Sequence, residues 1–580
     1  MMEQQKKFIT ADGTELFYRY RPALNGSSDK AIVLFHRGHE HSGRMMFVAD
    51  ELGFDDYAYF AWDARGHGHS PGDRGDSPSL GTSVADVQAF VQHIERQYGI
   101  PPENMAVIAQ SVGAVLVSAW LHDYAPQIRC AVLASPAFKV KLYVPFARAG
   151  LKLMQKWRGN FFVNSYVKSH YLTRDKERQA SYDNDPLIAR AISVRILLGL
   201  HDAAERVVAD AQAITTPIQL LISDSDWVVH HKPQHDFYNC LGSHVKERHI
   251  FKDFYHDTLG EEKREQVFVE MRRFIRERFD EPLCSVNVTR AHLHSDSRRE
   301  ADELATPLSL FTLRGAYWAA QRWLIGLGAR WSEGLKLGKE TGFDSGSTLD
   351  YVYRNQPQGS NAFGRMADKH YLNAIGWRGI RQRKVHIGQA IQVAMSKLRE
   401  AGKPVHALDI AAGHGRYVLD ALTADQLPES VLLRDYSAIN VEAGRNLIAE
   451  RGLQDTVRFE EADAYERNNY KDLTPRPTLG IVSGLHELFA DNDVILQSLH
   501  GMGDAIEAGG HLIYTCQPWH PQLEMIARAL TSHKKGSPNW VMRRRSQQEM
   551  DQLVGLAGFK KIRQWIDEDG IFTVSLAVKV

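Results

Sequence analysis

Twice along the 580 residues the sequence falls into one rhythm: a short run rich in β-branched and aliphatic residues, then a stretch of helical periodicity. In the first half the runs are Ala31–Phe35, Tyr57–Asp63, Met105–Gln110, Arg129–Ser135 and Pro217–Ser223. In the second they are Val405–Ile410, Val431–Tyr436, Val457–Glu460, Leu479–Ser483 and His511–Cys516. Runs this short, with no polar alternation, are strands buried on both faces, and burial on both faces requires helices on both sides of a parallel sheet. All-helical bundles and antiparallel sandwiches are thereby excluded, and an α/β class is expected twice over.

Between the runs the chain divides. Residues 1–280 are expected to form one α/β domain, interrupted at about 138–213 by a helical cap with exposed aromatics including Tyr143, Phe146, Trp157, Phe161 and Phe162. The domain closes with a helix over Glu261–Phe279. Residues 281–383 read as a connector and lid, opening on the charged stretch HSDSRREADE and carrying Tyr317, Trp318, Trp323 and Trp331 among Arg314, Arg322 and Arg330. That mixture suits interdomain packing or a helix lying on a lipid surface. Residues 384–580 are expected to be a second α/β domain, ending in an antiparallel hairpin of Phe559–Ile566 and Ile571–Val580 around Asp567–Gly570. Lys plus Arg and Asp plus Glu both number 70, so no global field favours nucleic acid, and none is expected as a partner. Four scattered cysteines and the lack of a long apolar segment imply a cytoplasmic chain that does not span a membrane, with peripheral contact at the inner face left open.

The first candidate site is a turn. Met105–Gln110 runs through Ser111, Val112 and Gly113 into a helical stretch, the strand, sharp turn and helix of a G-x-S-x-G elbow, with Ala109 in the first glycine position. Asp226 follows the Pro217–Ser223 strand, and His256 comes thirty residues later, beyond the Val245–Phe251 strand. Ser111, Asp226 and His256 thus occur in the order of an α/β-hydrolase triad, with Asp224 a rival for the acid and Asp257 read as solvated. The Gly38 and Val112 amides are the candidate oxyanion donors. His36, His39, His41, His67 and His69 flank glycine turns and read as loop hydrogen-bonders rather than metal ligands. The segments FHRGHEHSGR and WDARGHGHSPGDRG resemble the loops of the monoacylglycerol lipase and lysophospholipase group of serine hydrolases, over roughly residues 8–280. Arg37 stands where that group has glycine. The resemblance implies a lipid-like carboxyl ester as substrate.

The second candidate site is a glycine loop. Asp409 lies in the strand before Ala411, Ala412, Gly413, His414 and Gly415, which lead into a helix, and Asp435 ends the next strand twenty residues after Gly415. A backbone cradle at a helix amino terminus with a distal carboxylate suits a nucleoside, of NAD or of S-adenosyl-L-methionine. Asp409 before the loop, Asp463 with Ala464 after the third strand, and the terminal hairpin favour the latter. Together they resemble a class I S-adenosylmethionine-dependent methyltransferase, with Ala411 in place of that family's first glycine. Ser483 ends the fourth strand, where His486 or Glu487 is a candidate base for a methyl acceptor; Trp519 with His520, and Tyr351, Tyr353, Arg354 and Asn355 on the lid, are further candidates near it.

The whole arrangement is similar to bacterial fusions of an α/β-hydrolase with a class I methyltransferase, which implies a bifunctional enzyme. The departures at Arg37, Ala109 and Ala411 keep open a chain with one live domain, or a membrane-surface scaffold.

Overall fold

The structure is a computed structural model and describes residues 3–26, 28–141, 147–423, 426–534 and 539–580. Tyr143 and Phe146 of the expected cap lie outside these residues. The chain forms two compact units, residues 1–286 and 287–580.

The first unit is built on an eight-stranded sheet of order β1-β2-β4-β3-β5-β6-β9-β10. Its strands are β1 (Gln4–Ile9), β2 (Glu15–Arg21), β3 (Ala31–Phe35), β4 (Ala58–Trp62), β5 (Met105–Gln110), β6 (Cys130–Ala134), β9 (Ile218–Ser223) and β10 (Lys246–Phe251). From β4 onward the pairings are parallel, and β3, β4, β5, β6 and β9 are buried throughout, which is why they read as unbroken apolar runs. One face packs Val267, Phe268, Met271, Phe274 and Ile275 of the helix Glu265–Asp280 against Ile32, Ile108 and Val132. β1 and β2, antiparallel at the edge, were not expected; the polar and charged residues that make up much of both hide them from a search for apolar runs. The cap was expected to be helical. It holds helices Ala147–Arg158, Lys176–Asn184 and Val194–Ala209, but also a short antiparallel pair, β7 (Phe162–Asn164) with β8 (Ala191–Ser193).

The second unit has a seven-stranded sheet of order β13-β12-β11-β14-β15-β17-β16. β11 (His406–Ile410), β12 (Ser430–Asp435), β13 (Val457–Glu461), β14 (Leu479–Val482) and β15 (His511–Cys516) are parallel. The terminal hairpin of β16 (Phe559–Ile566) and β17 (Thr573–Lys579) adds antiparallel to β15.

The expected boundary at 383/384 is corrected. One helix, Ile375–Glu400, runs straight through it, and residues 287–383 belong to the second compact unit. The charged opening stretch forms the helix Asp296–Ala305, whose buried side is small, only Ala301 and Leu304, so it read as a linker. Leu304, Phe343, Tyr351, Val352, Trp377 and Ile380 from this segment join Leu523, Ile526, Leu530 and Phe572 in a third apolar cluster, distinct from those on the two faces of the sheet. Among the described residues, no helix is long and apolar enough to cross a membrane.

Candidate active sites

In both sheets the strand order reverses direction at one point, between β3 and β5 in the first and between β11 and β14 in the second. Ligands of open α/β sheets bind beyond the carboxyl ends of strands at such points, and both sets of candidate residues lie there.

At the end of β5 the chain reverses through Ser111 at φ 55° and ψ −114°, a conformation that costs an L-residue about 1–3 kcal/mol. Neighbouring strands hold it: Ser111 N donates to Ala134 O at 2.9 Å and Ala137 N donates to Ser111 O at 3.2 Å. The helix Val112–Tyr124 starts at the next residue, its positive end at the serine. A side chain on Gly113 would begin 2.5 Å from His36 O and 2.8 Å from Phe35 O, so only glycine lets this helix close on the end of β3.

The loops after β9 and β10 bring the other two groups. His256 Nε2 lies 2.7 Å from Ser111 Oγ, and His256 Nδ1 lies 2.7 Å from Asp226 Oδ2. All three residues are buried. Asp226 Oδ1 accepts the Val228 and Val229 N–H groups at 2.7 and 3.0 Å. Burial works against its charge, but His256 and these two amides outweigh it and hold the carboxyl below the usual range. Asp224 is exposed and engaged by Ser225 Oγ and Asp253 N, so it is not the acid partner. The Gly38 loop approaches the elbow: a Cβ on Gly38 would stand 3.0 Å from Val112 Cγ2. Among the described residues neither the Gly38 nor the Val112 N–H donates to a protein acceptor, which leaves both for an oxyanion.

Arg37 does not point to solvent. Fully buried, it pairs with Glu40 at 2.6 Å and reaches Asp257 at 3.5 Å, while Arg44 takes the same Glu40 oxygen at 2.7 Å. The reading of Asp257 as solvated is corrected: it is 0 % exposed and accepts from Arg178 Nε at 2.5 Å and Gln110 Nε2 at 3.0 Å. Burial opposes its ionisation, yet Arg178 and Arg37 keep its carboxyl below the ordinary range; Glu40, likewise buried, is held at about 2 by Arg37 and Arg44. The glycine-to-arginine change therefore ties the candidate oxyanion loop to the loop that carries His256. Of the five histidines, His36 accepts Ala64 N at Nε2 and bonds Arg37 O through Nδ1, His67 bonds Arg65 O, and His41 bonds Asp185.

In the second unit the loop after β11 turns on three left-handed residues, Ala411 (φ 58°), Gly413 (φ 57°) and Gly415 (φ 73°), before the helix Arg416–Leu419. Asp435 Oδ2 accepts Gly413 N at 2.9 Å, and Oδ1 accepts Ser437 N and Asn440 Nδ2. One lone-pair site remains, on Oδ2, for a ribose hydroxyl. Burial pushes the Asp409 carboxyl well above the usual range; its Oδ2 accepts from Tyr417 OH at 2.6 Å, and Oδ1 lacks a partner. Ser483 Oγ is another buried atom without one. Asp463 is exposed, its Oδ1 accepting Tyr465 N, and Ala464 O accepts Tyr470 OH. The left-handed loop, the Asp435 carboxylate with one free acceptor site and two orphaned buried oxygens fit a nucleoside with a polar tail. The start of the helix Gly346–Arg354 lies against this loop; Gly346 Cα is 3.3 Å from where a side chain on Gly413 would begin.

Beyond β14 and β15 lies an apolar cavity lined by Trp377, Ile380, Met525, Ile526, Trp540 and Phe572, with Arg383, Glu487 and His520 as polar members. His486 and Glu487 part company here. Glu487 lines the cavity, whereas His486 bonds Ser498 Oγ at 2.7 Å behind the strand, where burial and Arg545 lower its imidazole to about 3. Trp519 lies against Arg544, and Tyr351 OH is taken by Asp368. Arg383 was missed. Its signal was a cation on the apolar stripe Trp377, Ile380, Arg383 and Ile387.

These two units define the class: an α/β-hydrolase domain carrying a Ser–His–Asp constellation, followed by a Rossmann-like methyltransferase domain. The chain belongs to the family described as putative methyltransferase, which matches residues 271–579, and residues 26–263 match the serine aminopeptidase S33 family. Over 99 % of its length it is 56 % identical to the uncharacterized protein YnbC of Escherichia coli strain K12, covering 98 % of that protein. Its first domain is related to monoglyceride lipases: the Homo sapiens enzyme is 28 % identical over 47 % of this chain and 89 % of its own. The solved monoacylglycerol lipase of Paleococcus ferrophilus is 22 % identical, covering 48 % of this chain and all of that one, with a TM-score of 0.41.

Proposed function

We propose that the chain is a bifunctional enzyme, a serine hydrolase of lipid-like carboxyl esters joined to an S-adenosylmethionine-dependent methyltransferase. The observation that carries the hydrolase half is the unbroken chain of two 2.7 Å contacts from Ser111 through His256 to Asp226. His256 Nε2 takes the Ser111 proton as Oγ attacks the ester carbonyl, and Asp226 fixes the tautomer and stabilises the imidazolium. The oxyanion forms against the Gly38 and Val112 N–H groups; one such donor is worth about 3–4 kcal/mol. His256 then protonates the leaving alcohol, and water repeats the sequence on the acyl-serine. The kinship with monoglyceride lipases favours an acyl glycerol-like ester. A fluorophosphonate probe should label the purified protein on Ser111, and Ser111→Ala should abolish labelling; unlabelled wild-type protein rejects this half.

In the second domain Asp435 would hold the ribose, Gly413 and Gly415 the nucleoside backbone approach, Asp463 and Ala464 the adenine edge, and Ser483 with Asp409 the amino acid tail. Bound there, the cofactor supplies an electrophilic methyl group. The protein's part is in-line alignment and a dry cavity for the acceptor. Calorimetry should show S-adenosylmethionine binding that Asp435→Ala weakens at least tenfold; no heat with wild-type protein rejects this half. Exposed Leu313, Tyr317, Ala320 and Leu324 fall on one face of the helix Leu313–Gly328, which suits peripheral contact with a membrane from a cytoplasmic location.

A further inference from the structure

The cavity beyond β14 and β15 holds two buried ionic groups whose hydrogen bonds are unmet. Arg383 is 2 % exposed, yet among the described residues its buried Nε has no hydrogen-bond partner. It lies over the Phe572 ring at 5.1 Å and stands 3.9 Å from Glu487 Oε1, beyond hydrogen-bonding reach. Glu487 is 8 % exposed; Oε1 accepts from Thr515 Oγ1 at 2.8 Å, and Oε2 is buried without a donor. The two charges offset one another, but buried hydrogen-bonding atoms left without partners are costly unless something else completes them. Both line the same apolar, aromatic cavity, next to Gly484 at the end of β14.

Resting on the methyltransferase reading, we propose that this cavity binds the methyl acceptor and that the acceptor is an aromatic hydroxyl compound, its oxygen held between Arg383 and Glu487. A hydroxyl offers one proton to Glu487 Oε2 and lone pairs to the Arg383 N–H groups, so one ligand atom completes both. Charge selects against a carboxylate: Arg383 and Glu487 already cancel, and a further buried anion would be uncompensated. Trp377, Trp540 and Phe572 supply walls for a flat apolar ring.

The other titratable groups of the cavity are engaged. Asp344 accepts from Ser532 Oγ and His533 N. His520 accepts Gln522 N at Nδ1, so as a neutral imidazole it carries its proton on Nε2 and acts as a donor. Glu487 is left as the base. The hydroxyl oxygen forms the new bond to the methyl carbon, the methyl–sulfur bond breaks with its electron pair staying on sulfur, and the hydroxyl proton passes to Glu487 Oε2. Arg383 steadies the charge developing on oxygen, as a positioning residue that also selects the acceptor.

The test is a fluorescence titration of the full chain with 2-naphthol without cofactor, alongside calorimetry with S-adenosylmethionine. Naphthol should bind, naphthalene and 2-naphthoate at least tenfold more weakly. Arg383→Met should weaken naphthol at least tenfold while the melting temperature and cofactor affinity hold. Glu487→Gln, which keeps a hydrogen-bonding oxygen, should bind naphthol within a few-fold of wild type but lose its methylation. Absent naphthol binding, tighter naphthoate, an unchanged Arg383→Met titration, or an Arg383→Met defect confined to the cofactor each overturns the assignment. Failure of the cofactor to bind wild-type protein instead removes the methyltransferase reading, and the naphthol titration reads independently of it.

Discussion

Replacing Asp226 by Asn tests the hydrolase geometry more sharply than removing the nucleophile. The carboxylate bridges two partners: Oδ1 accepts the Val228 and Val229 N–H groups, and Oδ2 faces His256 Nδ1. An amide has one acceptor oxygen, and two backbone donors claim it, so its NH2 must face the imidazole. That turns His256 Nδ1 into an acceptor and puts the ring proton on Nε2, aimed at Ser111, where no lone pair remains to take the serine proton. The geometry survives while the base is lost. A wrong tautomer of this kind costs about ten-thousand-fold in kcat, or about 5.4 kcal/mol of barrier. Hydrolysis of p-nitrophenyl butyrate by the purified protein measures it, with KM expected to change little. Asp224→Asn, on an exposed carboxylate two residues away, should stay within about threefold of wild type. An Asp226→Asn enzyme within tenfold of wild type would refute the assigned roles.

Gly113→Ala should destabilise the first unit by about 1–3 kcal/mol, because the added methyl meets two carbonyl oxygens of the β3 end, and thermal melting would show it; an unshifted melt would contradict the close approach. Glu40 and Asp257 have folded pKa values depressed below their ordinary ones, so the folded state releases protons that the unfolded state keeps. Their stabilisation is complete above about pH 4.5 and is lost as pH falls toward about 2, and a melting temperature flat across that window would disprove the buried pairs. If the helix Leu313–Gly328 meets a membrane, Leu313→Ser with Tyr317→Ser should reduce co-sedimentation with anionic vesicles severalfold without altering p-nitrophenyl butyrate hydrolysis.

Ser111, Asp226 and His256 were legible because each depends on a local pattern, a strand followed by a turn of fixed chemistry, and chain order supplied the rest. The same holds for the Gly413 and Gly415 loop. What stayed hidden depended on partners far apart in sequence. Arg37 reads as a lost glycine until Glu40, Arg44 and Asp257 are seen around it, and Asp257 reads as solvated because Arg178, its main partner, comes from the cap. Asp409 looks like an ordinary carboxylate in one dimension, and only the fold shows the burial that pushes its carboxyl well above the usual range. The 287–383 segment looked like a tether because its helices share their apolar residues with a cluster completed only by Leu523, Ile526 and Phe572.

The cap over Ser111 is fastened unevenly. Its 178–185 side is bolted to the catalytic floor: Arg178 to Asp257, Ser181 to Arg44, Asp185 to His41, and the Tyr182 ring 5.6 Å from both the Arg37 and Arg44 guanidinium groups. The helix Ala147–Arg158 buries none of its residues, and its Arg148 grips only the solvent-facing Asp202 and Glu205. Within the first unit the cap is therefore a fixed wall on its 178–185 side, which ties the loops carrying Arg37 and Asp257 together, and a lightly anchored one along Ala147–Arg158.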